Sequence, residues 1–140
     1  MKKALLVVGN PLKGDDSVAI KLGEMIEKLE GWRVFFGNDT PEDEVFKLKK
    51  YSPDLVVVAD AVIGIEGAEF LSLQKDANYL YSTHNIPLYL IIEFIKEFCD
   101  NVLFLGIGVD EKNLGKITFE ISNKALNSLN EAFNKLNDSF

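Results

Sequence analysis

Cysteine, histidine and tryptophan each occur once in this chain of 140 residues, and proline only four times. A lone Cys99 forms no internal disulfide, so nothing calls for an oxidising compartment. No apolar run reaches the ~18 residues that a membrane span needs. The opening stretch Met1-Lys2-Lys3-Ala4-Leu5-Leu6-Val7-Val8 has a charged start and an apolar body. Its apolar part stops at Gly9-Asn10 with no small-residue cleavage site, so it reads as a first strand rather than a signal peptide. A cytoplasmic protein with no membrane partner is expected. Positive charge is also scarce: 15 lysines and arginines face 22 acids, a net charge of -7. Only Lys47, Lys49 and Lys50 cluster. That field repels phosphate backbones and argues against nucleic acid as a partner.

What is present is apolar sequence in well-spaced runs, 47% of the residues. A disordered chain lacks such runs. The length fits one domain over residues 1–140, able to bury its own core. No repeat, low-complexity stretch or linker interrupts it. Residues 3–9 are a continuous apolar run, as in a strand buried on both faces. Val18, Leu22, Met25, Ile26 and Leu29 share one face of a helix over 17–30. Residues 32–36 form a short aromatic strand. Thr40 and Pro41 then start a helix, with Thr40 as N-cap and acids after it.

Residues 54–60 give the clearest buried strand, ending on Asp60. Residues 68–73 alternate and suit an antiparallel edge strand. A strongly apolar helix spans 87–98, and a buried strand spans 101–107. Residues 116–121 read as a short edge strand. Ser122 caps a last helix with a stripe of Leu126, Leu129, Phe133 and Leu136. The expected fold is three-layer α/β/α: a twisted, mostly parallel sheet of about five strands with an antiparallel edge strand.

In such sheets ligands bind outside the carboxyl ends of the strands. Three strand-end loops hold unusual residues. Gly9-Asn10-Pro11-Leu12-Lys13-Gly14-Asp15-Asp16 brings two acids to a helix start. Capping explains one of them at most, because adjacent side chains on a helix point about 100° apart. Asp15 is assigned to capping or loop bracing, which leaves Asp16 to face the crevice. The Walker phosphate-loop spacing is absent despite Lys13. Asp60 follows a buried run, where a carboxylate needs a partner. His84 stands in Ser82-Thr83-His84-Asn85-Ile86-Pro87-Leu88, among polar residues just before a helix. Thr83 or Asn85 could orient its second ring nitrogen. Tyr79 and Tyr81 precede this loop and suit the crevice or the core equally. Two carboxylates and one imidazole suit nickel, iron or zinc and leave coordination positions open. Cys99 has no histidine to spare as its base, and no serine has a triad.

These three segments resemble the motifs of the hydrogenase maturation endopeptidases, in the same order and at similar spacing. The likeness runs over nearly the whole chain. The subgroup it resembles most processes large subunits of hydrogen-evolving or related NiFe hydrogenases. The resemblance implies a protease that removes a C-terminal extension from a NiFe-hydrogenase large-subunit precursor after nickel insertion. It also implies that Asp16, Asp60 and His84 contact the nickel, that the nickel is supplied by the substrate, and that the protein is a monomer. Zinc or cadmium could substitute for the nickel. Asp16 and Asp60 are the catalytic candidates, either through a metal-activated water or as a direct carboxylate base in the manner of aspartic proteases. Ser17 and Ala19 stand where small, glycine-containing variants are frequent. Gly106-Ile107-Gly108-Val109-Asp110 replaces the family's usual Gly-Ile-Gln-Pro at a loop expected to border the cleft.

Two other readings compete. A phospho-receiver signalling domain would use Asp15, Asp16 and Asp60, but Lys112 lies too far along and the loop before Asp15 is too long. A flavodoxin-like binding module without catalysis is the third.

Overall fold

A computed structural model describes residues 1–73 and 86–140. The elements in chain order are β1 (Lys3–Val8), α1 (Val18–Ile26), β2 (Trp32–Asn38), α2 (Val45–Tyr51), β3 (Leu55–Val62), β4 (Ala68–Leu71), α3 (Leu88–Lys96), β5 (Val102–Gly108) and α4 (Asn123–Ser139). The strands form one sheet in the order β2-β1-β3-β5-β4. All neighbours are parallel except β4, which runs antiparallel to β5 at the edge.

The sheet is apolar on both faces because helices cover both. On one face Leu5, Val7, Val57 and Ala59 pack with Val18, Leu22 and Ile26 of α1 and with Ala125, Leu129 and Leu136 of α4. On the other, Leu6, Val8, Val56 and Val58 pack with Leu48 of α2 and with Leu88, Ile91 and Ile95 of α3. Strand alternation divides the residues between the two cores. Every residue of β3 is buried, as its unbroken apolar run requires.

Several local expectations are corrected. The helix expected at 17–30 begins as a 3-10 turn over Gly14–Ser17 and is regular only over Val18–Ile26. Thr40 makes no side-chain cap; Pro41–Glu44 is another 3-10 turn, and the regular helix starts at Val45. The stretch 116–121 is not a strand. A single parallel bridge joins Lys13 to Thr118, because the segment meets a loop rather than the sheet. Ser122 caps α4 as expected, with its hydroxyl accepting the Ala125 N–H at 3.1 Å. The buried stripe of α4, however, is Ala125, Ser128, Leu129, Ala132 and Leu136, while Leu126 is 46% exposed. The two alanines let α4 lie close to the sheet, and Leu126 is turned about 100° from Ala125.

The sheet order sets the place for a site. The chain passes from β1 outward to β2, then returns to the other side of β1 for β3. Loops leaving β1 and β3 therefore diverge, which opens a crevice at the carboxyl edge.

Candidate functional site

The loop after β1 is held by its own backbone. Asp16 N–H donates to the Lys13 carbonyl at 3.0 Å, and Asn10 N–H donates to the Asp16 carbonyl at 3.2 Å. Gly9, at φ +149°, lies against that carbonyl, so any Cβ there would collide with it. The turn bearing Asp16 packs against β3, the strand bearing Asp60. Both acids are nearly sealed from solvent, at 4% and 2% exposure.

Asp60 is not the last residue of its strand. β3 continues to Val62 because β5 runs alongside it, pairing Asp60 with Gly106 and Val62 with Gly108. β1 stops short: its last partner on β3 is Ala59. Asp60 is thus the first residue of β3 beyond the reach of β1, at the point where the Asp16 loop turns away. Its carboxylate accepts the Ala61 N–H at 2.8 Å.

Asp15 has a different task. Its carboxylate accepts the Ser122 N–H at 2.7 Å, the Ser122 hydroxyl at 2.6 Å and the Asp110 N–H at 2.9 Å. Its own N–H donates to the Asn113 side chain at 2.8 Å. Asp15 therefore braces the loop, as expected of one of the pair, and it ties together segments about a hundred residues apart. Gly14, at φ +49°, lies against Asn113, where a Cβ would clash. Asn113 and Asp110 carried no sequence signal for this role, beyond the general taste of Asn and Asp for turns.

The stretch 106–110, expected as a loop bordering the cleft, is a loop only from Val109 on, because Gly106–Gly108 are the end of β5 paired with β3. Gly108 N–H donates to the Gly67 carbonyl at 2.8 Å, and Val109 N–H donates to the Val62 carbonyl at 3.1 Å. A proline at 109, as in the usual family pattern, has no N–H for this bond. His84 lies outside the described residues, as do Thr83, Asn85, Tyr79 and Tyr81. Among the described residues no group of three His, Cys, Asp or Glu side chains could hold a metal ion. Cys99 is buried at the start of the connection to β5, at the other edge of the sheet, with its thiol 3.5 Å from the Asn101 carbonyl. No helix among them is long and apolar enough to cross a membrane.

The fold and site define the class: a three-layer α/β/α domain with two buried acids at the switch point of its sheet. No family model matches the chain. The hydrogenase 3 maturation protease of Escherichia coli is 31% identical over 116 residues, covering 79% of this chain and 74% of the relative. The solution structure of the endopeptidase HycI from Escherichia coli superposes with a TM-score of 0.83 at 25% identity, covering 99% of this chain and 90% of that one. An uncharacterised Wolinella succinogenes protein of known crystal structure is 41% identical, with a TM-score of 0.82 and coverage of 99% and 96%. The chain belongs to the hydrogenase maturation protease family.

Proposed function

We propose that this protein is the endopeptidase that removes the C-terminal extension of a NiFe-hydrogenase large-subunit precursor after nickel insertion. Asp16, Asp60 and His84 contact the precursor's nickel, which is part of the substrate. The observation that carries this reading is the pair of buried acids, Asp16 and Asp60, on the two diverging elements of the switch point in a chain of this family. Two carboxylates and an imidazole match the donor preferences of nickel, and zinc or cadmium would substitute in binding assays.

With the precursor's nickel held at this edge, the scissile bond lies beside the carboxylates. A water attacks the peptide carbonyl and gives its proton to Asp16 or Asp60. The same proton passes to the leaving amine as the C–N bond breaks. The cytoplasm is the expected location, and a monomer the expected state.

The receiver-like alternative is disfavoured by Asp15. All three hydrogen bonds to its carboxylate come from the 110–122 segment, so it does not stand open to a metal and phosphate. An antiparallel edge strand is also foreign to an all-parallel receiver sheet.

The test mixes purified protein with nickel-loaded and nickel-free precursor and follows the mass of the large subunit. Cleavage of the loaded form alone is the expected result. His84→Ala should lower processing roughly 100-fold or more. Equal cleavage of both forms would remove nickel recognition and leave the protease. Normal processing by His84→Ala would remove His84 from the site.

A further inference from the structure

The lysine cluster of α2 plays no part in the function proposed above, and the tertiary structure enlarges it. Lys47 and Lys50, three apart on α2, share one helix face. They line a cavity of about 470 Å³ together with Lys2, Arg33 and Tyr51. Lys2 precedes β1, and Arg33 lies on β2 beside Ala4 of β1. Four exposed cations from three separate segments thus surround one hollow, and no acid lines it. Lys49 turns away, to a groove lined by α2 and α3.

Two of the cations are held by an aromatic pair. Tyr51 packs against Phe35 with ring centroids 5.8 Å apart. The Lys2 Nζ lies 5.1 Å from the Tyr51 centroid and donates to the Tyr51 carbonyl at 3.2 Å. The Arg33 guanidinium lies 5.3 Å from the Tyr51 centroid and 5.4 Å from that of Phe35. Among the described residues only Lys47 of the four has an ion pair, with Glu44 at 2.9 Å. Asp54 accepts the Lys2 backbone N–H at 2.7 Å but does not line the hollow. The carboxyl end of α2 offsets only about half an elementary charge. Acids outnumber lysines and arginines by 22 to 15, so cations on this chain have carboxylates at hand. Like charges gathered around a concavity without them focus their field on an anion from outside.

The rest of the surface limits the size of that anion. A net charge of -7 repels an extended polyanion such as a nucleic acid or an acidic protein face. A compact anion stays within about one Debye length, ~8 Å, of the four cations and is screened from the acids beyond. The planar guanidinium of Arg33 suits two oxygens of one phosphate. The volume of the hollow is that of a small-molecule site.

We propose that Arg33, Lys2, Lys47 and Lys50 form a binding site for a small anion carrying two or more linked phosphates. The site lies at the amino edge of the sheet. The length of β1, ~20 Å, separates it from the carboxyl edge where Asp16 and Asp60 stand. It is a second site, independent of the peptide chemistry.

The test is calorimetric titration of the full chain, free of divalent metal and at low ionic strength, with inorganic tripolyphosphate, ATP and sulfate. One saturable site for tripolyphosphate, at least ~10-fold tighter than for sulfate, is the expected result. Lys50→Gln and Lys47→Gln should each weaken it several-fold, and Arg33→Gln at least ~10-fold. Lys96→Gln, which removes the same charge from α3, should leave it unchanged. Arg33 stacks on two rings, so melting temperatures are read beside the affinities; if Arg33→Gln unfolds, the two lysine variants decide. Tighter binding of ATP than of tripolyphosphate assigns a nucleotide, and equal affinity assigns the phosphate chain alone; both support the site. Binding of tripolyphosphate no tighter than of sulfate overturns it. So does a loss in Lys96→Gln equal to that in Lys50→Gln, which would mean general charge attraction without a site.

Discussion

Asp15 and Asp16 are neighbours in sequence, equal in chemistry and equally buried, yet they belong to different parts of the molecule. Asp15 belongs to a brace that gathers Asp110, Asn113 and Ser122. Asp16 sits on a turn packed against β3, the strand of Asp60, and is the one of the pair proposed for the site. Burial alone therefore does not tell a structural acid from a chemical one; position in the fold has to be read as well. A carboxylate supplied with backbone N–H groups from a distant segment is cross-linking the fold. A carboxylate at the switch point of the sheet is placed for a ligand.

The largest effects should separate the two acids by kind. Asp16→Asn and Asp60→Asn should each slow precursor processing roughly 10²–10⁴-fold in single-turnover assays, with little change in melting temperature. If Asp15→Asn gave the same loss of rate at unchanged stability, the division between brace and crevice would be wrong. Asp15→Ala should instead cost about 3 kcal/mol of stability in urea unfolding, since it strands buried donors on Asp110 and Ser122. Ser122→Ala should cost about 1–2 kcal/mol, because the hydroxyl both caps α4 and donates to Asp15. Combined with Asp15→Ala it should cost less than the sum, as expected when two residues share one network. At the small end, Leu126→Ala should shift stability by less than about 0.5 kcal/mol despite its place in the apolar pattern of α4, since it is exposed. Equilibrium unfolding of all of these on one scale would sharpen the ranking.

The apolar runs of β1, β3 and β5 were legible as buried strands, and the alternation of 68–73 was legible as an antiparallel edge. Ser122 was legible as a cap. The errors cluster where regular structure begins. Thr40 and the start of the first helix were misread because 3-10 turns carry the same proline and acidic signals as helix N-termini. Leu126 was misread because the helical period fits several stripes, and only packing against the sheet selects one. The stretch 116–121 was misread because alternation reports a willingness to be a strand, not the presence of a neighbour. Its apolar residues stay exposed for the same reason. At the site, a bracing role for Asp15 was legible, but the residues it braces, Asp110, Asn113 and Ser122, were not.

By itself the sequence determined the strands that must be buried on both faces, the two helical layers that must bury them, and the strand-end loops in which polar residues are out of place. Those follow from local periodicity, which needs no knowledge of what comes next in space. Tertiary structure alone decided that β3 runs past β1, so that Asp60 emerges beside the Asp16 loop. It alone joined Asp15 to residues about a hundred positions away. Sheet order and register are set by the sum of many long-range contacts, and no window of sequence contains that sum.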